Sequence, residues 1–379
     1  MAMVLNEEQF LLTKTARGFF KDFAPVAQLR ALRDENSEDC FSRALWAKMS
    51  EMGFSGIVLP EAFGGLDYGL MGAGIIFGAM GRTLVSSPML STAIMGATLI
   101  SKGASQTHKE NILPNIVSGK VLIAFACDEA NHSGTGTISL KATKTEDGYS
   151  LNGNKAFVLD GMVADYIIVA ARTSATSDDK DGITLFLLKG DSVGVFCKRQ
   201  ILVDGRGAAN INFEGVKVKK SDIVGELNEG GILMNQVLNI ANLCLCAELL
   251  GLSESVFLQT LEYLKNRKQF GVAIGSFQSL QHRASELFSE IELGKSVLLS
   301  GLNAAEQGLD DLNYHTSLSK VKISEIGRLA TNEAVQMHGG MGMTDEFDMG
   351  FYMKRARAIM LTFGDPSFHL DRFAKIRGY

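Results

Sequence analysis

Asn266-Arg267-Lys268-Gln269-Phe270-Gly271 stands where a long helical period stops. Upstream of it, Val237, Ile240, Cys244, Ala247 and Gly251 form one stripe, and its small members would let another helix approach closely. Gly271 reads as the C′ residue that ends this helix. Arg267 offers a planar fork of donors suited to a pyrophosphate. Phe270 supplies a flat apolar surface for a purine or a subunit contact, and Gln278 on the next helix can bond a sugar or phosphate oxygen. On the residues alone, a helix–loop–helix with a capping arginine is the favoured reading.

A second stretch lies further on, Gln336-Met337-His338-Gly339-Gly340-Met341-Gly342. Glycines let backbone come close to a ligand, and consecutive N–H groups can cradle an anion. The stretch follows a helix rather than a strand and lacks the G-x-G-x-x-G spacing, so it is no dinucleotide turn of the Rossmann kind. Without G-K-[ST] it is no P-loop either. His338 could act as a base, but a histidine beside a glycine turn more often caps a helix.

Working outward, Leu280 to Leu309 and Ser317 to Val335 predict two more long helices. From Leu5 to about Ser118 the apolar spacing is again helical, with Phe10-Leu11, Ala16, Phe19-Phe20 and Phe23 recurring every three or four residues. Pro25, Pro60, Pro88 and Pro114 punctuate it. Glu61 to Gly65 reads as a loop, and Met89 to Ile100 as a buried helix. Between Val121 and Gly225 the texture is β: apolar runs at Val121–Ala126, Tyr166–Ala171 and Thr184–Leu188, and alternation through Ile211, Phe213, Val216 and Val218. Asp147-Gly148, between Lys141–Thr145 and Tyr149–Leu151, signals a hairpin. The expected architecture is α+β: a helical domain at 1–118, an antiparallel β-barrel domain at 119–226 and a four-helix bundle at 227–379.

The formal net charge of −5 over 379 residues argues against a nucleic-acid partner, and the small cluster of Lys217, Lys219 and Lys220 does not change that. Five scattered cysteines form neither a disulfide framework nor a zinc site, so no metal is expected. No basic-then-apolar leader, peroxisomal tail or uncharged run of membrane-spanning length is read, which points to a cytoplasmic protein.

Taken together, R-K-Q-F-G, then F-Q, then Q-M-H-G-G-M-G resembles the C-terminal domain of acyl-CoA dehydrogenases. Trp46 to Met49, Met52-Gly53-Phe54, Leu59-Pro60-Glu61 and Phe63-Gly64-Gly65 resemble the N-terminal domain of that family. Gly153-Asn154-Lys155-Ala156-Phe157 and Asn212 to Val218 resemble its middle domain, so the likeness spans essentially the whole chain. It implies FAD as cofactor and an acyl-CoA thioester as substrate. It also implies a flavin ring between the β domain and the bundle, and a bundle that forms the oligomer core. Electron-transfer flavoprotein would be the electron acceptor. Arg267, Phe270, Gln278, Gln336, Gly339 and Gly340 match positions that contact the FAD of a neighbouring subunit.

The chain departs from the family where the chemistry is done. Removing an α-proton beside a thioester needs a carboxylate base and a site for the developing enolate. Most members carry a Glu late in the last domain, just before a Gly; here the stretch is Leu361-Thr362-Phe363-Gly364-Asp365, with Thr362 or Phe363 at that place. A minority place it earlier, at the position of Ala241, followed by an Arg where this chain has Asn242. The flavin-facing Thr-Glu-Pro-Gly turn and Trp-x-Thr strand are replaced by Asp128-Glu129-Ala130-Asn131 and Phe157-Val158-Leu159. Leu159 has no hydroxyl, and Asp128 puts negative charge where a reduced flavin would develop its own. Two readings follow: a non-catalytic subunit beside a homologous sister chain that supplies the Glu, or a homo-oligomer with a relocated base. For the second, Asp365 is the best candidate, with Asp160 and Glu248 weaker. A helical scaffold without flavin is a third.

Overall fold

A computed structural model of the chain describes residues 5–129, 138–174 and 182–379. The N-terminal region is helical: α1 Glu7–Phe23, α2 Val26–Asp34, α3 Arg43–Glu51, α4 Gly69–Thr83, α5 Ala97–Gly103 and α6 Gln106–Val117. The strands follow: β1 Ile123–Ala126, β2 Lys141–Lys144, β3 Gly148–Leu159, β4 Tyr166–Arg172, β5 Ile183–Lys189, β6 Val195–Ile201, β7 Gly207–Lys219 and β8 Ile223–Val224. Then come α7 Gly230–Asn266, the short strands β9 Lys268–Gln269 and β10 Val272–Ala273, α8 Gln278–Glu306, α9 Leu312–His338, α10 Met349–Leu361 and α11 Pro366–Ile376.

By compactness the chain divides into two units. One unit comprises Met1–Arg30, Leu70–Val85 and Asn242–Tyr379; the other comprises Ala31–Gly69 and Ser86–Ala241. Residues of the helical N-terminal stretch fall in both units.

The sheet unit is ordered β6-β7-β3-β2-β4-β5-β8, with β1 on β4. The expected hairpin forms with its tip one residue earlier: Lys144 lies opposite Tyr149 and the Thr145 N–H donates to the Gly148 carbonyl, so Glu146-Asp147 makes the turn and Gly148 opens β3. Two features depart from the antiparallel barrel. β1 pairs parallel to β4, and β2 meets β4 in parallel at Lys141 and Arg172. The strand path also runs open from β6 to β8 among the described residues. β1 and β4 are not consecutive, since β2 and β3 lie between them in the chain, and that separation permits the parallel match. β4 and β5 read as unbroken apolar runs because both faces are covered, and their side chains join Leu151, Ile211 and Phe213 in one core. The expected buried helix from Met89 begins as a π-helical segment, Met89–Gly96, every residue of it buried.

The apolar stripe of α7 runs through both units, with its part from Asn242 onward in the bundle unit. Val237, Ile240, Cys244 and Ala247 are all buried. A Cβ on Gly251 would collide with the Gly78 carbonyl, and one on Gly81 with the Glu248 carbonyl, so α4 and α7 touch backbone to backbone. Contrary to the hydropathy reading above, α7 holds an 18-residue window apolar enough for a membrane span; 83% of that window is buried inside the protein, as a core helix requires. In α1, Ala16, Phe19 and Phe20 are buried, whereas Phe10 and Leu11 are exposed.

Candidate functional site

In the bundle unit α7 ends at Asn266, and Gly271 is not its C′ residue. Lys268-Gln269 pairs with Val272-Ala273, and Phe270-Gly271 forms the two-residue turn of a hairpin. Both turn residues have positive φ, 54° and 80°, the pattern of a type I′ turn. Glycine adopts this freely; phenylalanine does so under strain. The reason to hold Phe270 there is visible in its exposure, 93%, with only an edge contact to Phe277 at 6.3 Å. The root of the hairpin is fixed by the Arg267 N–H donating to the Tyr263 carbonyl and the Ile274 N–H donating to the Arg267 carbonyl, both at 2.8 Å. The Arg267 side chain is exposed and makes no ion pair or hydrogen bond among the described residues. Gln278 opens α8, also exposed.

The second element follows α9. Gly339 has φ 62° and ψ −143°, a conformation only glycine adopts without strain. Its N–H donates to the Gln336 carbonyl. A Cβ added at Gly339 or at Gly340 would meet nothing within 4 Å, and both residues, like Gln336, are exposed. The bend thus presents bare backbone outward, the form an anion cradle takes. His338 is buried, its Nδ1–H donates to the Ala334 carbonyl at 2.8 Å, and burial keeps its pKa below the ordinary value. It caps the helix and is not placed as a base. These features fit the outer, dinucleotide half of an FAD: an open glycine bend, an uncommitted guanidinium and a presented aromatic ring.

The positions that would carry a base are closed. Ala241 and Asn242 are buried. Phe363 is buried in the left-handed region (φ 55°), and its carbonyl accepts from Asn242 Nδ2 at 3.1 Å and from His369 Nε2 at 3.2 Å. The Thr362 carbonyl accepts from the buried Lys320 ammonium at 2.8 Å. His369 is fully buried; desolvation first, then Lys320 and Arg372, lower its pKa to about 3. Its neutral ring donates from Nε2, leaving Nδ1 to accept from Ser317 Oγ at 3.3 Å. Asp365 is the N-cap of α11: its Oδ1 accepts the Phe368 N–H at 2.8 Å, with Pro366 at the first helical position. Glu248 is buried against Arg355 at 2.8 Å, and that arginine also holds the Val85 carbonyl, so the pair is a structural tie.

In the sheet unit, the turn and strand that would flank a flavin ring do lie together. The Ala156 N–H donates to the Asp128 carbonyl, and the buried Lys155 ammonium reaches Glu129 at 2.6 Å. Ala130 and Asn131 of that turn lie outside the described residues. Phe157 sits at a bulge with φ 50°, and Leu159 brings no donor. These residues fit the ring half of FAD less well than the bundle residues fit the outer half. Asp160, next along, has φ 55° and accepts from Ser91 Oγ at 2.5 Å; burial pushes its carboxyl up to about 6. Sequence reasoning missed Tyr263, Lys320 and His369, and read Asn242 only as a departure from the family pattern. Only Tyr263, one helical turn before Arg267, carried a local signal.

A helical region, a β domain and a helical bundle with this outward bend define an oxidoreductase chain of a recognisable type. Family models for the N-terminal, middle and C-terminal domains of acyl-CoA dehydrogenase match residues 6–120, 124–216 and 228–376. The chain belongs to the acyl-CoA dehydrogenase family, whose members are FAD-dependent oxidoreductases. It is 28% identical to a 3-(aryl)acrylate reductase of Clostridium sporogenes over 95% of each chain. Among solved structures it is similar to a variant of the Tcur3481-Tcur3483 steroid ACAD, with a TM-score of 0.87, 28% identity and 98% of each chain covered. It also matches the FAD complex of PigA, with a TM-score of 0.90, 25% identity, and 100% of this chain and 99% of that one covered.

Proposed function

We propose that this chain is the non-catalytic subunit of a heteromeric acyl-CoA dehydrogenase, giving the outer half of a flavin site to a homologous sister subunit. Arg267 would bridge the pyrophosphate with its fork of donors, the Gly339-Gly340 bend would approach it with bare backbone, and Phe270, Gln278 and Gln336 would line the rest. Bound FAD supplies the hydride acceptor for the β-carbon of the acyl-CoA. The sister chain supplies the carboxylate that takes the α-proton. Reduced flavin would pass electrons to electron-transfer flavoprotein, by analogy with the family.

One observation carries this reading. The surface that would serve a neighbour is open, while Phe363 and Gly364, in the loop that should hold the base, are buried and bonded to their own unit through the Phe363 carbonyl. A general base has to reach the proton it removes, and nothing in Thr362-Phe363-Gly364 can. The Tcur3481-Tcur3483 steroid ACAD, named for two components, supports the two-chain form and a bulky acyl group.

The alternative homomeric enzyme would use Asp365. Its capping bond to Phe368 speaks against that, since a carboxylate leaving the cap exposes helix N–H groups. Native purification tests the proposal. A homologous chain should co-purify, with fewer flavins than chains. Tight FAD and turnover by the lone homo-oligomer would refute it, and a colourless native assembly would leave only the scaffold reading.

A further inference from the structure

The two elements of the outer site are 72 residues apart in sequence (Arg267 to Gly339), and exposed glycine backbone is intrinsically loose. Something has to hold the bend in register with the hairpin. One residue touches both. The Tyr263 carbonyl accepts the Arg267 N–H at 2.8 Å, fixing the root of the hairpin. The Tyr263 ring stacks on the His338 ring, with centroids 4.3 Å apart and planes 25° apart. Its hydroxyl donates to the His338 carbonyl at 3.4 Å. That carbonyl belongs to the peptide bond that begins Gly339.

The stack is closed on its other edge. Phe347 meets Tyr263 at 6.3 Å and 88°, and His338 at 5.8 Å and 64°. His338 cannot swing away, because its Nδ1–H is held by Ala334. Desolvation lowers the His338 pKa, and the two flat rings face each other in a partly buried layer.

Resting on the flavin-sharing reading, we infer that Tyr263 is a positioning residue that locks the Gly339-Gly340 bend to the Arg267 hairpin through its stack on His338. It touches no cofactor itself. Its part is to remove the conformational freedom that the bend would otherwise lose on binding.

The test uses the native assembly and reads FAD dissociation by the rise of flavin fluorescence, beside thermal unfolding by circular dichroism. Tyr263→Leu keeps apolar bulk but removes the ring, and should loosen FAD by about tenfold with little change in unfolding temperature. Tyr263→Phe keeps the ring and should hold FAD within about threefold of the unaltered chain. The inference is overturned if Tyr263→Leu retains FAD as tightly as the unaltered chain, or if FAD loss in the two variants simply follows loss of thermal stability. Should Tyr263→Leu fail to fold, His338→Gln removes the stack from the other side and is read by the same criteria. Arg267→Ala separates the two levels. If that variant keeps its FAD, the flavin-sharing reading falls. If it loses FAD while Tyr263→Leu does not, only the role of Tyr263 falls.

Discussion

Two left-handed turns in the bundle unit follow helices and contain glycine, yet they are finished in opposite ways. After α9, Gly339 and Gly340 lie exposed with open space where side chains would stand. After α10, Phe363 and Gly364 lie buried; a Cβ on Gly364 would press on Phe368 and His369, and the Phe363 carbonyl is taken by two side chains. Similar local chemistry thus makes an open, exposed bend in one place and a closed joint in the other. The difference teaches where to look for the reaction. That contrast is what the proposed supporting role rests on.

The comparison is broken most directly by putting the missing acid back. Phe363→Glu should bury a carboxylate in a packed site, cost about 3–5 kcal/mol in chemical denaturation, and confer no turnover on the chain alone. Dehydrogenation of an acyl-CoA by that variant would show the loop to be open after all.

Acid sharpens the contrast. The folded pKa of His369 lies near 3, below its unfolded value, so the folded state refuses a proton that the unfolded chain accepts. Stability is fully present above the unfolded pKa and falls as pH drops from about 6.5 towards 3, by roughly 1.4 kcal/mol per unit at most. His369→Gln should flatten that slope. Asp160, in the other unit, has the opposite sign: its raised pKa favours the protonated folded state, so its own contribution declines as pH rises from about 4 to 6.

Arg267→Ala addresses the open turn and its hairpin. It should weaken FAD retention by the native assembly about thirtyfold, the effect of one charge-assisted contact, without altering thermal unfolding. The smallest effect belongs to Asp365. Asp365→Ala should cost about 1 kcal/mol through the lost cap, whereas Asp365→Asn, itself a good cap, should be neutral for stability and leave turnover of the native assembly intact.

Much of the frame was legible along the chain because it rests on local periodicity. The α7 stripe, the hairpin between β2 and β3 and the buried β4 and β5 runs all follow from spacing. The glycine bend was also readable, since consecutive glycines after a helix have few other uses. The Phe270-Gly271 turn was not, because a helix C′ glycine and the second residue of a type I′ turn share the same positive φ. The π-helical start of Met89–Gly96 was equally hidden: composition does not distinguish it from an α-helix. The sealed loop was beyond sequence reading for another reason. Asn242, Lys320 and His369 meet around Phe363 from distances of up to 121 residues along the chain, and no local pattern announces such a meeting.

The hairpin tip carries a consequence for the cell that makes this protein. A benzyl group held nearly bare on a strained bend is apolar surface that a partner in the proposed assembly would cover. Copies synthesised in excess of their receivers would keep it uncovered, a feature that invites clumping and degradation. In the proposed two-chain assembly, balanced production of both chains would set how much of the complex accumulates.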